Sequence, residues 1–305
     1  MIRVLVPDMP TAEDLLPYLE LIDKKRVYSN IGPMVVELEE TLAKITGAPV
    51  AVMSNGTLAI ELALKSLYLR PQSPVLCPAF TFVATGQAIA NAGLRPVLCD
   101  VDLDAAWQMT PEIAARAVHD SHLPISAIVP VAPFGAPVDA DAWSALSREL
   151  GIPVVVDAAG ALTTQVLPDD PWMVVAYSLH ATKFIGAGEG GAVSTKNEVL
   201  MRRIRELLNF GPGGTNAKMS EYHAAVALAS LVRAGKKRGG SSWLWRQYHE
   251  AIAEIPGLSF QSALLRDAVL MPILLPEGCD AASAAAWLLA SCFLLWHLGY
   301  AVIDA

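Results

Sequence analysis

The sequence predicts an α/β protein, a mostly parallel sheet sandwiched by helices, with a second, small C-terminal α/β domain. Three observations carry this expectation. Short apolar runs alternate with segments of helical period along the first 235 residues, the order that a succession of βαβ units requires. The runs are continuous Val, Ile and Leu instead of alternating apolar and polar residues, as in strands covered on both faces. Hydrophobic residues fill 53% of the 305 positions and charged residues only 17%, against about 25% charged in an average globular chain. That balance excludes a disordered chain and demands a large buried core.

Residues 36–47 (VELEETLAKITG) set apolar side chains at helical spacing before a Gly stop. Residues 49–54 (PVAVMS) form a short strand ending in Asn55-Gly56-Thr57, and TLAIELALKSLYL continues at helical period. PVLCPAF is the next strand, TFVATGQAIANAG the next helix, and RPVLCDVD a strand ending in acids. ISAIVPVAPFG runs into a Pro/Gly turn, ADAWSALSREL is a helix, and GIPVVVDAAG is a strand ending in Asp157. The expected large domain covers residues 1–235 and the small one residues 236–305. Their boundary is the basic, Gly- and Ser-rich stretch GKKRGGSS (235–242), suited to a hinge or helix interruption. A helix (WLWRQYHEAIAEI), a turn at Pro256-Gly257 and a strand (AVLMPILL) come after it.

Charge and cysteine usage narrow the partners. Lys plus Arg total 22 and Asp plus Glu 30, for a net charge of −8. The longest basic run is Lys236-Lys237-Arg238, too short to follow a phosphate backbone, so no nucleic-acid partner is expected. Cys77, Cys99, Cys279 and Cys292 are scattered, with no C-x-x-C and no His at zinc spacing. Neither a disulfide framework nor a metal site is expected. The opening MIRVLVPDMPTAEDLL carries acids early and no apolar signal core, and the expected compartment is a reduced cytoplasm. Residues 281–303 contain no charged side chain, long enough formally for a membrane span. Two Ser, Cys292, His297 and Gly299 interrupt the run. A buried helix followed by a short strand is the preferred reading, and a membrane segment the alternative.

In an open parallel sheet, ligands sit beyond the carboxyl ends of the strands, and three suggestive groups fall there. Asn55-Gly56-Thr57 combines a residue that lets backbone approach closely, the free amides of a helix start and a hydroxyl, an anion cradle most naturally for phosphate. A plain helix cap is the alternative. Asp157 ends Val154-Val155-Val156, and a carboxylate at the mouth of a buried strand needs a cationic or N–H partner. It reads as the counter-ion of a protonated heterocycle nitrogen, or as an N-cap for the following turn. Lys183 lies between the apolar run MVVAYSL and a stretch containing Gly186, Gly188, Gly190 and Gly191. A partly desolvated lysine is deprotonated more easily and condenses with aldehydes; an ordinary loop lysine is the alternative. His180 reads as structural, filling a polar corner. Cradle, acid and lysine together are the three attachments of pyridoxal 5′-phosphate. Asp157 would keep the ring nitrogen protonated, and Lys183 would hold the aldehyde and then act as the base.

The motifs occur in an ordered series: Gly32-Pro33 before VELEETLAKITG, then SNGTLAIELAL, PAFTFVAT, RPVLCDVD, VVVDAAGA, SLHATKFIGAGEGGAVST and GGTNAKMSEYHAAVAL. In this series the chain resembles the DegT/StrS-type family of pyridoxal-phosphate sugar aminotransferases, of fold type I and aspartate-aminotransferase-like. The resemblance covers about residues 29–231 and, more loosely, the rest. A lysine followed by GEGG is moderately specific; the ordered series is strongly so. The resemblance implies Lys183 as the cofactor lysine and Asp157 as the partner of the pyridine nitrogen. It implies Gly56, Thr57 and Ser178 as phosphate ligands. Phe82 would stack on the ring, with plain core packing as its alternative. Asn216 would reach the phosphate of the neighbouring subunit, which implies a homodimer with shared sites. The implied amino donor is L-glutamate, and the implied acceptor is a keto sugar carried on a nucleotide diphosphate, as in aminosugar biosynthesis.

Three departures stand against the family pattern. Gly160 occupies the position, three residues after Asp157, where the family usually has Gln or His. GKKRGGSS falls where similar proteins run a continuous helix. The chain ends at Ala305, where the family continues for several tens of residues, so the small domain is expected to be a shortened one. Two other readings remain beside the aminotransferase. A sugar dehydratase on the same fold replaces the lysine with His, and this chain keeps Lys183. A shortened, weak or inactive relative that binds cofactor or a partner as a regulatory module is favoured by Gly160 and the short end, and opposed by the Asp157–Lys183 pair.

Overall fold

The computed structural model describes residues 7–211, 213–260, 272–276 and 278. The uncharged run 281–303 lies outside the described residues. Two helices, α1 (Ala12–Lys25) and α2 (Pro33–Thr46), lead into β1 (Val50–Met53), α3 (Gly56–Ser66), β2 (Pro74–Pro78), α4 (Val83–Asn91), β3 (Arg95–Cys99) and α5 (Pro111–Asp120). Next come β4 (Ala127–Ile128), α6 (Ala140–Leu150), β5 (Val154–Asp157), β6 (Met173–Ser178), β7 (Gly191–Ser194), α7 (Glu198–Leu207) and α8 (Glu221–Ala253). A separate short ribbon pairs β8 (Ser259–Phe260) with β9 (Ile273–Leu274).

The main sheet has seven strands in the order β1-β7-β6-β5-β4-β2-β3. From β3 to β6 every neighbouring pair is parallel, and β7 alone runs against both its neighbours. The carboxyl ends of β1, β2, β5 and β6 therefore emerge along one edge. Asn55, Thr81, Asp157 and the loop after Ser178 share that edge because the topology allows nothing else.

Two layers cover the sheet. Val154 and Val156 pack with Leu38 and Leu42 of α2, Trp143 of α6 and Ala224 and Leu228 of α8. Val155 points the other way, toward Ile60 and Leu64 of α3, Ile89 of α4 and Ile204 of α7. This alternation is the period-2 geometry of a strand, and each fully buried Val or Leu contributes about 1.5–3 kcal/mol relative to exposure. Strand β3 differs from the buried strands. It forms the sheet edge with Leu98 at 67% exposure, and Pro96 within it is tolerated at an edge.

The expected helix interruption over 235–242 is not there. The backbone stays helical without a break from Glu221 to Ala253. A Gly inside a helix costs only about 1 kcal/mol relative to Ala, and good helix formers on both sides propagate across it cooperatively. Sequence reading also passed over α1, α5 and α7, which carry side-chain caps from Thr11, Thr110 and Asn197. The start of α8 is tied to α2 by fully buried Glu221. Its carboxylate accepts from the amides of Gly32, Met34 and Val35 at 3.0, 2.7 and 3.2 Å, groups that the start of a helix otherwise leaves unpaired. Among the described residues no helix is long and apolar enough to cross a membrane.

Candidate active site

Asp157 closes β5 and is 5% exposed. Its strand position is fixed by bonds from its own amide to Pro130 O and from the Ala132 amide to Asp157 O, both 2.9 Å. The carboxylate accepts from Thr85 Oγ1 on Oδ2 at 2.7 Å and from the Ala159 amide on Oδ1 at 3.1 Å. Burial pushes this carboxyl up from its ordinary value, and the two hydrogen bonds and the charge of Lys183 pull against that rise. The turn-capping alternative holds in one respect, through Ala159, but Thr85 and Lys183 act on the same carboxylate.

Lys183 sits in the β6–β7 connection and is half-buried. The loop around it is pinned by amide bonds from Leu179 to Gly190 O, Ala181 to Gly188 O, Lys183 to His180 O and Ala187 to Leu179 O, all within 2.8 Å. Burial lowers the Lys183 ammonium below the usual lysine range, with the charge of Asp157 opposing. Each group thus feels the other's charge, yet the two form no ion pair within 4 Å. The acid and the amine are thus near enough to act on each other and too far apart to pair directly. His180 serves the loop: its Nδ1 lies 2.8 Å from Thr182 Oγ1 and accepts the Thr182 amide at 3.3 Å.

The anion cradle forms where α3 starts against the end of β6. Asn55 caps the helix, its Oδ1 accepting from the Leu58 amide at 2.9 Å. The amides of Gly56 and Thr57 are left at the helix start without intrahelical acceptors. A Cβ on Gly56 would stand 2.9 Å from Ser178 Cβ, so only glycine lets the helix begin this close to the strand. Gly191 is equally constrained, since its Cβ would meet Asn55 O at 2.2 Å. Gly56, Thr57 and Ser178 therefore come together. Thr57 also lines a cleft of about 770 Å³ with Glu189, Lys218, Ser220 and His223.

Phe82 is 78% exposed at the start of α4, which overturns the core-packing alternative for it. Its ring stands free beside the loop that carries Thr81. Asn216 is exposed with left-handed φ of 51°. Its side-chain oxygen accepts from Lys218 Nζ instead of turning to Gly56, Thr57 or Ser178 of its own chain. At Gly160 a Cβ would lie 3.2 Å from the Gly135 amide. The backbone of Phe134 and Gly135 occupies the space that a longer side chain would need.

Sequence reasoning missed Thr81 and Thr85. Their spacing of four along TFVAT, on a helix start that faces the sheet, was the available signal. It also missed an aromatic wall beside them. Phe80, Trp107 and Phe134 meet at centroid distances of 5.3, 5.6 and 6.2 Å, with Trp107 and Phe134 both in left-handed conformations. No short-range pattern joins these three residues.

The residues fit pyridoxal phosphate on this structure's own terms. A cradle closed to any Cβ, a buried carboxylate and a desolvated amine set apart from it match a phosphate, a protonated ring nitrogen and an aldehyde.

Comparison with known proteins gives the same picture. A family model described as the DegT/DnrJ/EryC1/StrS aminotransferase family matches residues 11–289. A dTDP-4-amino-4,6-dideoxy-D-glucose transaminase of Shigella dysenteriae is 31% identical over 273 residues, spanning 85% of this chain and 72% of the relative. The structure of DesI, solved in the presence of its TDP-sugar product, superposes with a TM-score of 0.80 at 31% identity, covering 92% of this chain and 74% of DesI. A candidate PLP-dependent aminotransferase of Bacillus cereus superposes at 0.84 with 28% identity, covering 95% and 83% of the two chains.

Proposed function

The chain belongs to the DegT/DnrJ/EryC1/StrS aminotransferase family, and on that premise we propose that it is a pyridoxal-phosphate-dependent transaminase moving an amino group from L-glutamate to a nucleotide-linked keto sugar. The observation that carries this reading is the placement of buried Asp157 and part-buried Lys183, each acting on the other's charge, at the same sheet edge as the close Gly56–Ser178 approach. The acceptor class is supported by the dTDP-sugar in the name of the Shigella relative and by the TDP-sugar product of DesI.

When bound, the cofactor supplies an aldehyde and a ring that takes up electrons. The chain's own groups do the rest. Lys183 would be the residue that holds the aldehyde, and its Nζ would serve as the base for the proton on the donor's Cα. Asp157 keeps the ring nitrogen protonated. Thr57, Ser178 and the α3 amides would hold the phosphate, and Phe82 would stack on the ring. Asn216 completes the phosphate site of the second subunit in a cytoplasmic homodimer. Residues 1–235 form the cofactor domain and 236–305 the small domain.

The test is a spectral titration. Purified protein with pyridoxal phosphate should absorb in the visible, near about 420 nm. Adding L-glutamate should bleach that band and release 2-oxoglutarate. A protein that stays colourless with added cofactor overturns the reading. Bound colour that L-glutamate leaves unchanged points instead to the inactive binding module, which Gly160 favours.

A further inference from the structure

We propose that Thr85, oriented by Thr81, is the positioning residue that fixes Asp157 in its ionised form and sets the direction of its free lone pairs, through a two-hydroxyl relay from the rim of the site. The inference deepens the cofactor reading of Asp157 and rests on it.

The relay follows from proton counting. Thr85 is fully buried. Its Oγ1 lies 2.7 Å from Asp157 Oδ2 and 2.7 Å from Thr81 Oγ1. An ionised carboxylate only accepts, so the single hydroxyl hydrogen of Thr85 goes to Asp157. Thr81 must then donate to Thr85. The charge on Asp157 thus sets the direction of both bonds.

In the reverse direction a protonated Asp157 would donate to Thr85, Thr85 to Thr81, and Thr81 to solvent or to Phe82 O. That last contact is 3.4 Å long. A hydrogen bond that ends on a charge is roughly twice as strong as a neutral one, so the direction with ionised Asp157 prevails.

A threonine on a helix can satisfy its hydroxyl locally on a carbonyl one turn earlier, as Thr41 does on Glu37 O. Thr85 spends its hydroxyl on the acid 72 residues away. Ala159 holds the other carboxylate oxygen, so the carboxylate plane is fixed from two elements, α4 and the turn after β5. Lys183 is the charged group that acts on Asp157. It stands on the β6–β7 loop, apart from the relay.

The test titrates Asp157 in cofactor-free, full-length protein, by carbon-13 NMR of labelled aspartate with Asp157→Asn to assign the signal. Thr85→Val should raise the midpoint by about one pH unit, the worth of one hydrogen bond to a charge. Thr81→Val should raise it by a smaller amount, and Thr85→Ser should titrate like wild type. Should Thr85→Val not fold, Thr85→Ala removes the same hydroxyl without requiring space. An unchanged midpoint in the hydroxyl-free variants overturns the proposal. So does a Thr85→Ser shift as large as that of Thr85→Val, or a Thr81→Val midpoint equal to wild type. Because no cofactor is present, this outcome is independent of whether the protein binds pyridoxal phosphate.

Discussion

The two ends of the site are built by opposite means. At the acid end, the sheet buries a carboxylate and then stabilises its charge with two donors, Thr85 from α4 and Ala159 from the next turn, and with the charge of Lys183 on the β6–β7 loop. At the phosphate end, the chain makes room by leaving side chains out, at Gly56 and Gly191, beside an open cleft. The first end works by adding partners to an expensive group. The second works by subtraction. Substitutions at the acid end should therefore alter charge and rate with little effect on the fold, and substitutions at the phosphate end should alter fit.

The largest effect falls on the amine that acts on the acid. Lys183→Ala should abolish both turnover and borohydride trapping of pyridoxal phosphate, read by mass spectrometry of the reduced protein. Labelling of Lys183 by an aldehyde in cofactor-free wild type should reach half its maximum below pH 10.5, because burial disfavours the ammonium. The charge of Asp157 opposes that shift, so Asp157→Asn should move the midpoint lower still. A midpoint that rises in the variant would break the account of the acid end.

Asp157→Asn should also slow turnover by about 10²- to 10⁴-fold while the protein still folds. The sign of its pH effect follows from the raised folded value. Between the ordinary carboxyl value of 3.8 and that raised value, the folded carboxyl holds its proton more tightly than the unfolded one. Wild-type stability therefore falls as pH rises through that window, and the cost persists above it. Denaturant melts across acid pH should show this segment in wild type and lose it in the variant.

At the phosphate end the expected change is smaller and of a different kind. Gly56→Ala places a methyl 2.9 Å from Ser178 Cβ and 3.2 Å from its Cα. Backbone cannot yield as a side chain can, so the variant should lose about 1–3 kcal/mol of stability and bind pyridoxal phosphate about tenfold more weakly. Calorimetry and a cofactor titration read the two effects. A Gly56→Ala protein with wild-type stability would mean that α3 can draw back from β6, and the contrast between the two ends would fail.

Much of this architecture could be read from the sequence because it rests on local pattern. The apolar runs of β1, β5 and β6 and the helical period of α2, α3 and α6 are each determined within a dozen residues. Asp157, Lys183 and Gly56 stood out because a strand end or a glycine stretch isolates them. Thr85 did not, because its role lies in a partner 72 positions away. The aromatic wall did not, because three separate loops bring it together. GKKRGGSS misled in the other direction: local composition suggested a break, and the cooperativity of α8 overrode it. Helix α5 went unnoticed because its signal is a cap, Thr110 with Pro111, before a helix whose one fully buried side chain is Ala114.

The smallest expected effect tests the rule behind the acid end, that a buried polar group stabilises only when it is paired. Tyr177 precedes Ser178 on β6 and is fully buried, and its hydroxyl has no hydrogen-bond partner among the described residues. Burial raises this phenol well above its ordinary value, so it stays neutral throughout the range in which the protein folds, and charge plays no part. Leaving a buried hydroxyl without a partner costs about 1–3 kcal/mol. Tyr177→Phe removes that cost and keeps the ring that fills the core. The variant should match wild type or gain up to about 1 kcal/mol in denaturant melts, whereas Thr85→Val, which deletes a hydroxyl that has a charged partner, should lose stability. If both variants lost equal stability, pairing would not be what distinguishes the two hydroxyls, and the acid end would owe its arrangement to packing alone.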